Sequence, residues 1–170
     1  MQIEPLRSDH WQDVARIYAE GIATRNATFE TKVPTTEQLR ARWLADLAWV
    51  AVLDGEVVGW TAVMPVSSRE CYAGVGETAV YVAESARGRG VGKALLHTQV
   101  NTADAAGMWT LQTSIFPEDR AGIALHHAAG YRTLGVRERI ARHHGAWRDT
   151  VFLERRRDDG LPSAVVDART

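Results

Sequence analysis

The chain has 170 residues, the size of one domain, and its 45% hydrophobic and 24% charged residues are ordinary globular usage. Lys and Arg total 20 against 21 Asp and Glu, a net charge of −1, which argues against a nucleic-acid protein that works through bulk positive charge. The single cysteine, Cys71, excludes an internal disulfide and a multi-cysteine zinc site. No apolar run approaches the ~18 residues of a membrane helix, Met1 to Pro5 lacks a secretory pattern, and one cytoplasmic domain is expected.

In chain order, Ser8-Asp9 opens the first helix, with Asp9 as cap and Gln12 completing a loose capping box. Val14, Ile17, Tyr18 and Gly21 follow at helical spacing. Asn26 to Thr31 has no clear period and reads as a loop. A second capping box, Thr35 to Gln38, leads into Leu39, Trp43 and Leu47. The runs Trp49 to Leu53 and Glu56 to Val63 flank Asp54-Gly55, the strongest hairpin signal in the chain. After a loop, Val75 to Val82 alternates only partly, which suits a central strand covered on both faces. Val91, Ala94, Leu95 and Thr98 share a face of a helix that Gly107 stops. Trp109 to Ile115 is a strand, and Ala121 to Ala129 a short helix ended by Gly130. Tyr131 to Val136 and Trp147 to Leu153 are closing strands. The order β-α-α-β-β-β-α-β-α-β-β predicts an α/β fold: a mixed, largely antiparallel sheet, flanking helices and a central strand–loop–helix unit. The predicted domain is 1–155. Segment 156–170 is expected to be a mobile tail, and Arg155-Arg156-Arg157 a solvated strand end rather than a nucleic-acid patch.

Arg87-Gly88-Arg89-Gly90-Val91-Gly92-Lys93 carries the most chemical information. Three glycines in five residues let a backbone turn tightly and approach a ligand. Amides at a helix start, the helix dipole and three cationic side chains together suit a diphosphate. A dinucleotide fold wants G-x-G-x-x-G in its first strand–helix unit, whereas the spacing here is G-x-G-x-G in mid-chain. A nucleotide P-loop fails because Arg87 and Ala94 stand where Gly and Ser/Thr are required. The remaining pattern, R/Q-x-x-G-x-G/A, is met by Arg87, Gly90 and Gly92. It resembles the acyl-CoA pyrophosphate loop of the GNAT acetyltransferase superfamily.

Further segments narrow the resemblance to the phosphinothricin and methionine sulfoximine N-acetyltransferase branch. Glu77 to Val82 before the turn is one; Pro117 to His126 with Gly130-Tyr131 resembles P-E-N-x-A-S-x-x-L-H…G-F/Y. Gly145-Ala146-Trp147-Arg148-Asp149 resembles G-x-W-x-D, and Ala27 to Glu30 and Arg69 to Tyr72 match early loops. Two positions depart: Asp119 stands where relatives usually carry Asn, which commonly bonds the CoA arm, and Gly122 where many carry Ser. An ionised Asp accepts but cannot donate.

The resemblance implies acetyl-CoA as co-substrate, held by the Arg87 to Lys93 turn and by Asp119. Val80-Tyr81-Val82 would lend backbone groups to the pantetheine arm. Glu77 is the candidate general base, which an ammonium acceptor needs in order to regain a lone pair. His126 stands where many superfamily members have a Tyr acid; it is an acid or a packing residue at the CoA mouth. The acceptor would be framed by Thr28, Phe29, Glu30, Arg69 and Tyr72, with Arg69 gripping a carboxylate or phosphinate, or simply lying on the surface. His127 and His143-His144 lack metal-site spacing, so no metal is expected. Trp147 is a further candidate for the pocket border. The resemblance also implies a homodimer through the late strands.

The expected function is acetylation of the α-amine of a glutamate-like toxic amino acid: phosphinothricin, arsinothricin or methionine sulfoximine. The alternatives are another small amine, amino acid, polyamine or protein N-terminus as acceptor, or a CoA-binding sensor without turnover.

Overall fold

Seven strands form one sheet in the computed structural model, which describes residues 1–157. They are β1 (Gln2–Pro5), β2 (Ala48–Leu53), β3 (Glu56–Pro65), β4 (Val75–Val82), β5 (Thr110–Ile115), β6 (Arg132–His143) and β7 (Ala146–Arg156). Their order across the sheet is β1-β2-β3-β4-β5-β7-β6, antiparallel throughout except for β4 and β5. The helices are α1 (Trp11–Ala23), α2 (Thr36–Arg42), α3 (Val91–Ala105) and α4 (Arg120–Ala128). This is the α/β order expected. Residues 158–170 lie outside the described residues, and with them most of the segment read as a tail. No helix among the described residues is long and apolar enough to cross a membrane.

Local chemistry explains most boundaries. The Asp54-Gly55 pair has φ of 54° and 85°, the left-handed conformation that a tight hairpin turn requires. Thr35 and Gln38 form the reciprocal capping box at the head of α2. That helix is shorter than its apolar spacing suggests, because Trp43 leaves it with extended backbone. Trp43 stacks on Trp11 and lies 5.0 Å from the Trp60 ring, while Leu44 N–H bonds the Val63 carbonyl. Asp9 does not cap α1. A 3-10 turn, Ser8–His10, precedes the helix, and His10 Nδ1 accepts the Arg7 N–H instead.

The sheet is covered on both faces. Trp60, on β3, packs among Tyr18 of α1, Trp43 and Tyr81, with the Tyr81 ring stacked at 4.5 Å. Truncating a tryptophan in such a core costs about 3–5 kcal/mol, so this cluster fixes α1 on its face. On the other face α3 sits close over Gly59, where a Cβ would meet Leu95 and the Tyr81 carbonyl at 2.9 Å. In the arginine run at the end of β7, Arg156 is exposed as a solvated strand end would be, but its two neighbours are engaged. Arg155 makes a bidentate pair with Asp104 of α3 at 2.8 and 2.7 Å, and Arg157 bonds the Asp104 carbonyl.

Candidate active site

The site begins where two strands part. β4 and β5 run parallel and pair only from Val75 with Thr110 to Glu77 with Gln112. Beyond that point hydroxyls replace the ladder: Thr78 Oγ1 donates to Gln112 O and Thr113 Oγ1 to Thr78 O. Buried Tyr131 donates from its OH to Thr78 Oγ1; burial raises its pKa to about 12, so it keeps its proton. Past this junction opens a cleft of ≈ 500 Å³, lined from both sides of the sheet.

The phase of the β3–β4 ladder decides what faces the cleft. Ala83 N–H bonds Val58 O, so Tyr81 and Ala79 direct their backbone groups to β3. Those of Val80 and Val82 point the other way, toward the edge that β5 has left. Val82 O there accepts Arg87 Nε at 3.4 Å. Side chains alternate in the other sense. Glu77, Ala79 and Tyr81 face α1, and Thr78, Val80 and Val82 face α3 and α4.

On the α3 side, the turn after β4 is built for an anion. Gly88 and Gly90 have φ of 73° and 81°, with open space where a Cβ would stand. The first intrahelical bond of α3 runs from Ala94 N–H to Gly90 O, so the amides of Val91, Gly92 and Lys93 have no partner within the helix. Gly90 itself offers no side-chain cap, and Arg87, Arg89 and Lys93 are exposed around the turn. Gly92 serves differently: it lies inside the helix, 3.1 Å at its absent Cβ from Leu125 of α4, which also lines the cleft. Backbone edge and turn together fit a diphosphate with a peptide-like arm.

The head of α4 closes this side. Asp119 Oδ1 accepts the Gly122 N–H at 2.9 Å and caps the helix. The carboxylate folds over Gly122 into the space a Cβ there would need. The two departures from the branch pattern are thus physically coupled, and the Asp119 side chain faces its own helix. His126 is buried in the cleft wall, with Nδ1 2.8 Å from Gly122 O. A carbonyl only accepts, so Nδ1 carries the proton and Nε2 a lone pair. Burial lowers the His126 pKa, against smaller raising effects of Gly122 O and Asp119. The ring is therefore neutral near pH 7, with no proton on Nε2 to donate.

On the α1 side lies a chamber lined by Tyr18, Thr28, Phe29, Glu30, Arg42, Met64, Glu77 and Tyr81. Glu77 stands at its inner end, at the last paired position of the ladder and across from Met64. Tyr81 sends its OH to Ala27 O at 3.2 Å, so only its backbone neighbours serve the α3 side. Burial raises the pKa of Tyr18 and of Tyr81, and both remain protonated. Arg42 Nη1 bonds Glu30 Oε1 at 3.1 Å at the rim.

Two of the predicted acceptor residues are elsewhere. Arg69 and Tyr72 are exposed on the β3–β4 loop, stacked on each other at 5.4 Å, and do not line the cleft. Arg148, singled out for no role of its own, does not line the cleft but holds residues that do, Asn26 and Phe116. Its guanidinium donates to Arg25 O, Asn26 Oδ1 and Glu118 Oε2 and lies 4.0 Å over Phe116. Phe116 in turn packs edge-on against Phe29 and stacks on buried His143. The G-x-W-x-D segment makes this geometry. His144 and Gly145, both at positive φ, turn the β6–β7 hairpin, and Asp149 Oδ1 accepts the N–H of bulged Arg139 at 2.7 Å. Trp147 is 53% exposed over Arg142, away from the cleft.

Known proteins resemble this chain in sequence and fold. The model of the acetyltransferase (GNAT) family matches residues 11–131. A phosphinothricin N-acetyltransferase of Alcaligenes faecalis is 30% identical over 90% of this chain and 81% of its own. An L-methionine sulfoximine/L-methionine sulfone acetyltransferase of Pseudomonas aeruginosa is 29% identical over 78% of this chain and 73% of its own. The crystal structure of a GNAT superfamily phosphinothricin acetyltransferase from Sinorhizobium meliloti in complex with AcCoA superposes with a TM-score of 0.83. It is 27% identical and covers 91% of this chain and 87% of its own. With an anion cradle after β4, a backbone edge beside it and a carboxylate on the opposite face, the chain belongs to the GNAT family, in its phosphinothricin and methionine sulfoximine branch, and is an acetyl-CoA-dependent N-acetyltransferase.

Proposed function

We propose that the protein acetylates the α-amine of a glutamate-like amino acid such as phosphinothricin, arsinothricin or methionine sulfoximine. The observation that carries this reading is Glu77, held at the point where β4 and β5 part, on the face opposite the anion cradle. The curated relatives named for phosphinothricin and methionine sulfoximine support the acceptor class.

Acetyl-CoA supplies the acyl group as a thioester. Arg87 to Lys93 hold its diphosphate, and Val80 and Val82 offer backbone groups to its arm. Glu77 takes the proton from the acceptor ammonium, directly or through one water. A free α-amine has a pKa of about 8, so this is a small task near neutral pH. A β4 amide aimed into the cleft is placed to polarise a carbonyl oxygen. His126 has its one ring proton committed to Gly122 O and its Nε2 buried without a partner, so it packs the cleft wall rather than acting as the acid. CoA leaves as the thiolate when the amine's lone pair forms the C–N bond. Asp119 caps α4, leaving the turn as the main diphosphate contact. We also infer a cytoplasmic homodimer joined through the β6–β7 hairpin, where Leu134, Val136, Ile140 and Trp147 expose their apolar side chains. Sedimentation velocity showing only a monomer at micromolar concentration would exclude that dimer.

The test is thiol release from acetyl-CoA against phosphinothricin, arsinothricin, methionine sulfoximine, the common amino acids, spermidine and a peptide N-terminus. Turnover confined to the glutamate-like compounds is expected. Turnover confined to spermidine or the peptide reassigns the acceptor, and CoA binding without any turnover replaces the enzyme with a sensor.

A further inference from the structure

A zwitterionic acceptor needs a cation on the Glu77 side of the cleft, and the structure offers one. Among the described residues lining the cleft, Arg42 is the sole Arg or Lys. It reaches the chamber from the last residue of α2, which Trp43 ends by turning away to the core. The rival cations are elsewhere or committed. Arg69 lies on the exposed loop over Tyr72. Arg148 spends its donors on Arg25 O, Asn26 Oδ1 and Glu118 Oε2.

Arg42 is not committed in this way. One of its five N–H donors meets Glu30, and the two side chains are 49% and 40% exposed. An exposed pair of this kind contributes little, about 0–1 kcal/mol. Its guanidinium fork still matches an oxyanion in bidentate fashion.

We infer that Arg42 is the residue that recognises the acceptor: it exchanges Glu30 for an anionic oxo group of the incoming amino acid. The inference rests on the acceptor class proposed above. The oxyanion has two sources in that class, the α-carboxylate and a side-chain phosphinate, and the test separates them.

Wild-type protein and Arg42→Met are compared on methionine sulfoximine, its α-carboxamide and phosphinothricin. Steady-state kinetics are joined to calorimetric binding of each acceptor in the presence of CoA, where no acyl group is available. Arg42→Met is expected to raise KM and the dissociation constant for the carboxylate acceptor about tenfold or more, equivalent to about 1.4 kcal/mol. kcat stays within about twofold, and the carboxamide is bound equally by both proteins. Arg42→Lys falls between, because the charge stays while the fork is lost. A loss confined to phosphinothricin assigns the contact to the phosphinate and still supports the inference. Equal losses on acid and amide, or none on any acceptor, overturn it. Should the wild type acetylate no amino acid, the acceptor reading fails first, and that result is distinct from an indifferent Arg42→Met.

Discussion

The two faces of β4 are made of different materials. The α3 side is mostly backbone: two glycines at positive φ, three free amides and the edge of Val80 and Val82, all within 14 consecutive residues of the chain. The α1 side is mostly side chains from α1, the loop after it, α2, β3 and β4, with Arg148 of β7 holding Asn26 and Phe116 in place. Backbone can hold a ligand that never varies, whereas side chains tune the site to one acceptor. The first face therefore implies cofactor identity, and the second implies specificity.

The sharpest way to break this division is Glu77→Gln. It should lower kcat by about 10²–10⁴-fold while leaving the dissociation constant for CoA unchanged. A parallel loss of CoA binding would mean that the two faces are not separable at β4. Gly90→Ala probes the other face. The space there is open, but left-handed backbone costs an L-residue about 1–2 kcal/mol, so KM for acetyl-CoA should rise about tenfold. KM for the acceptor should not change, and a rise in both would again merge the faces. The smallest effect is on stability. His126 binds fewer protons folded than unfolded, because burial holds its pKa below the ordinary 6.5. That makes the folded state most favoured above 6.5, with stability falling as pH drops through the lowered value. His143, lowered by burial and by neighbouring His144, acts in the same window. Melting temperature should therefore decline below pH 6.5, and less steeply in His126→Gln. Identical slopes would show that His126 is not the group responsible.

The same division explains what could be read from the chain alone. The hairpin at Asp54-Gly55, β4 and the Arg87 to Lys93 turn are local, and their residue types declare their geometry. The acceptor chamber is not local. Arg42 ends a polar helix and looks like any solvated residue until Trp43 turns the chain and fixes where it lies. Arg69 stands eight residues before Glu77, but the β3–β4 loop carries it beyond the cleft. Closeness along the chain did not become closeness in space. Arg148 lay within the G-x-W-x-D segment, yet its part depends on contacts with residues 25, 26 and 118, which no period reveals. The helix cap at Asp9 failed for a related reason: His10 folds back onto the Arg7 amide, a local alternative that composition does not rank.

Asp119 and Gly122 bear on how this site can change over generations. The carboxylate occupies the volume that any β-carbon at 122 would claim. A serine arriving at 122 while Asp119 holds this rotamer meets a collision, so its effect depends on what residue 119 has already become. The carboxylate is the free end of a short side chain, so it can rotate aside for a larger residue at 122, at the cost of its cap on the Gly122 N–H. Two neighbouring positions that look like independent departures are thus coupled through one side chain and one cap.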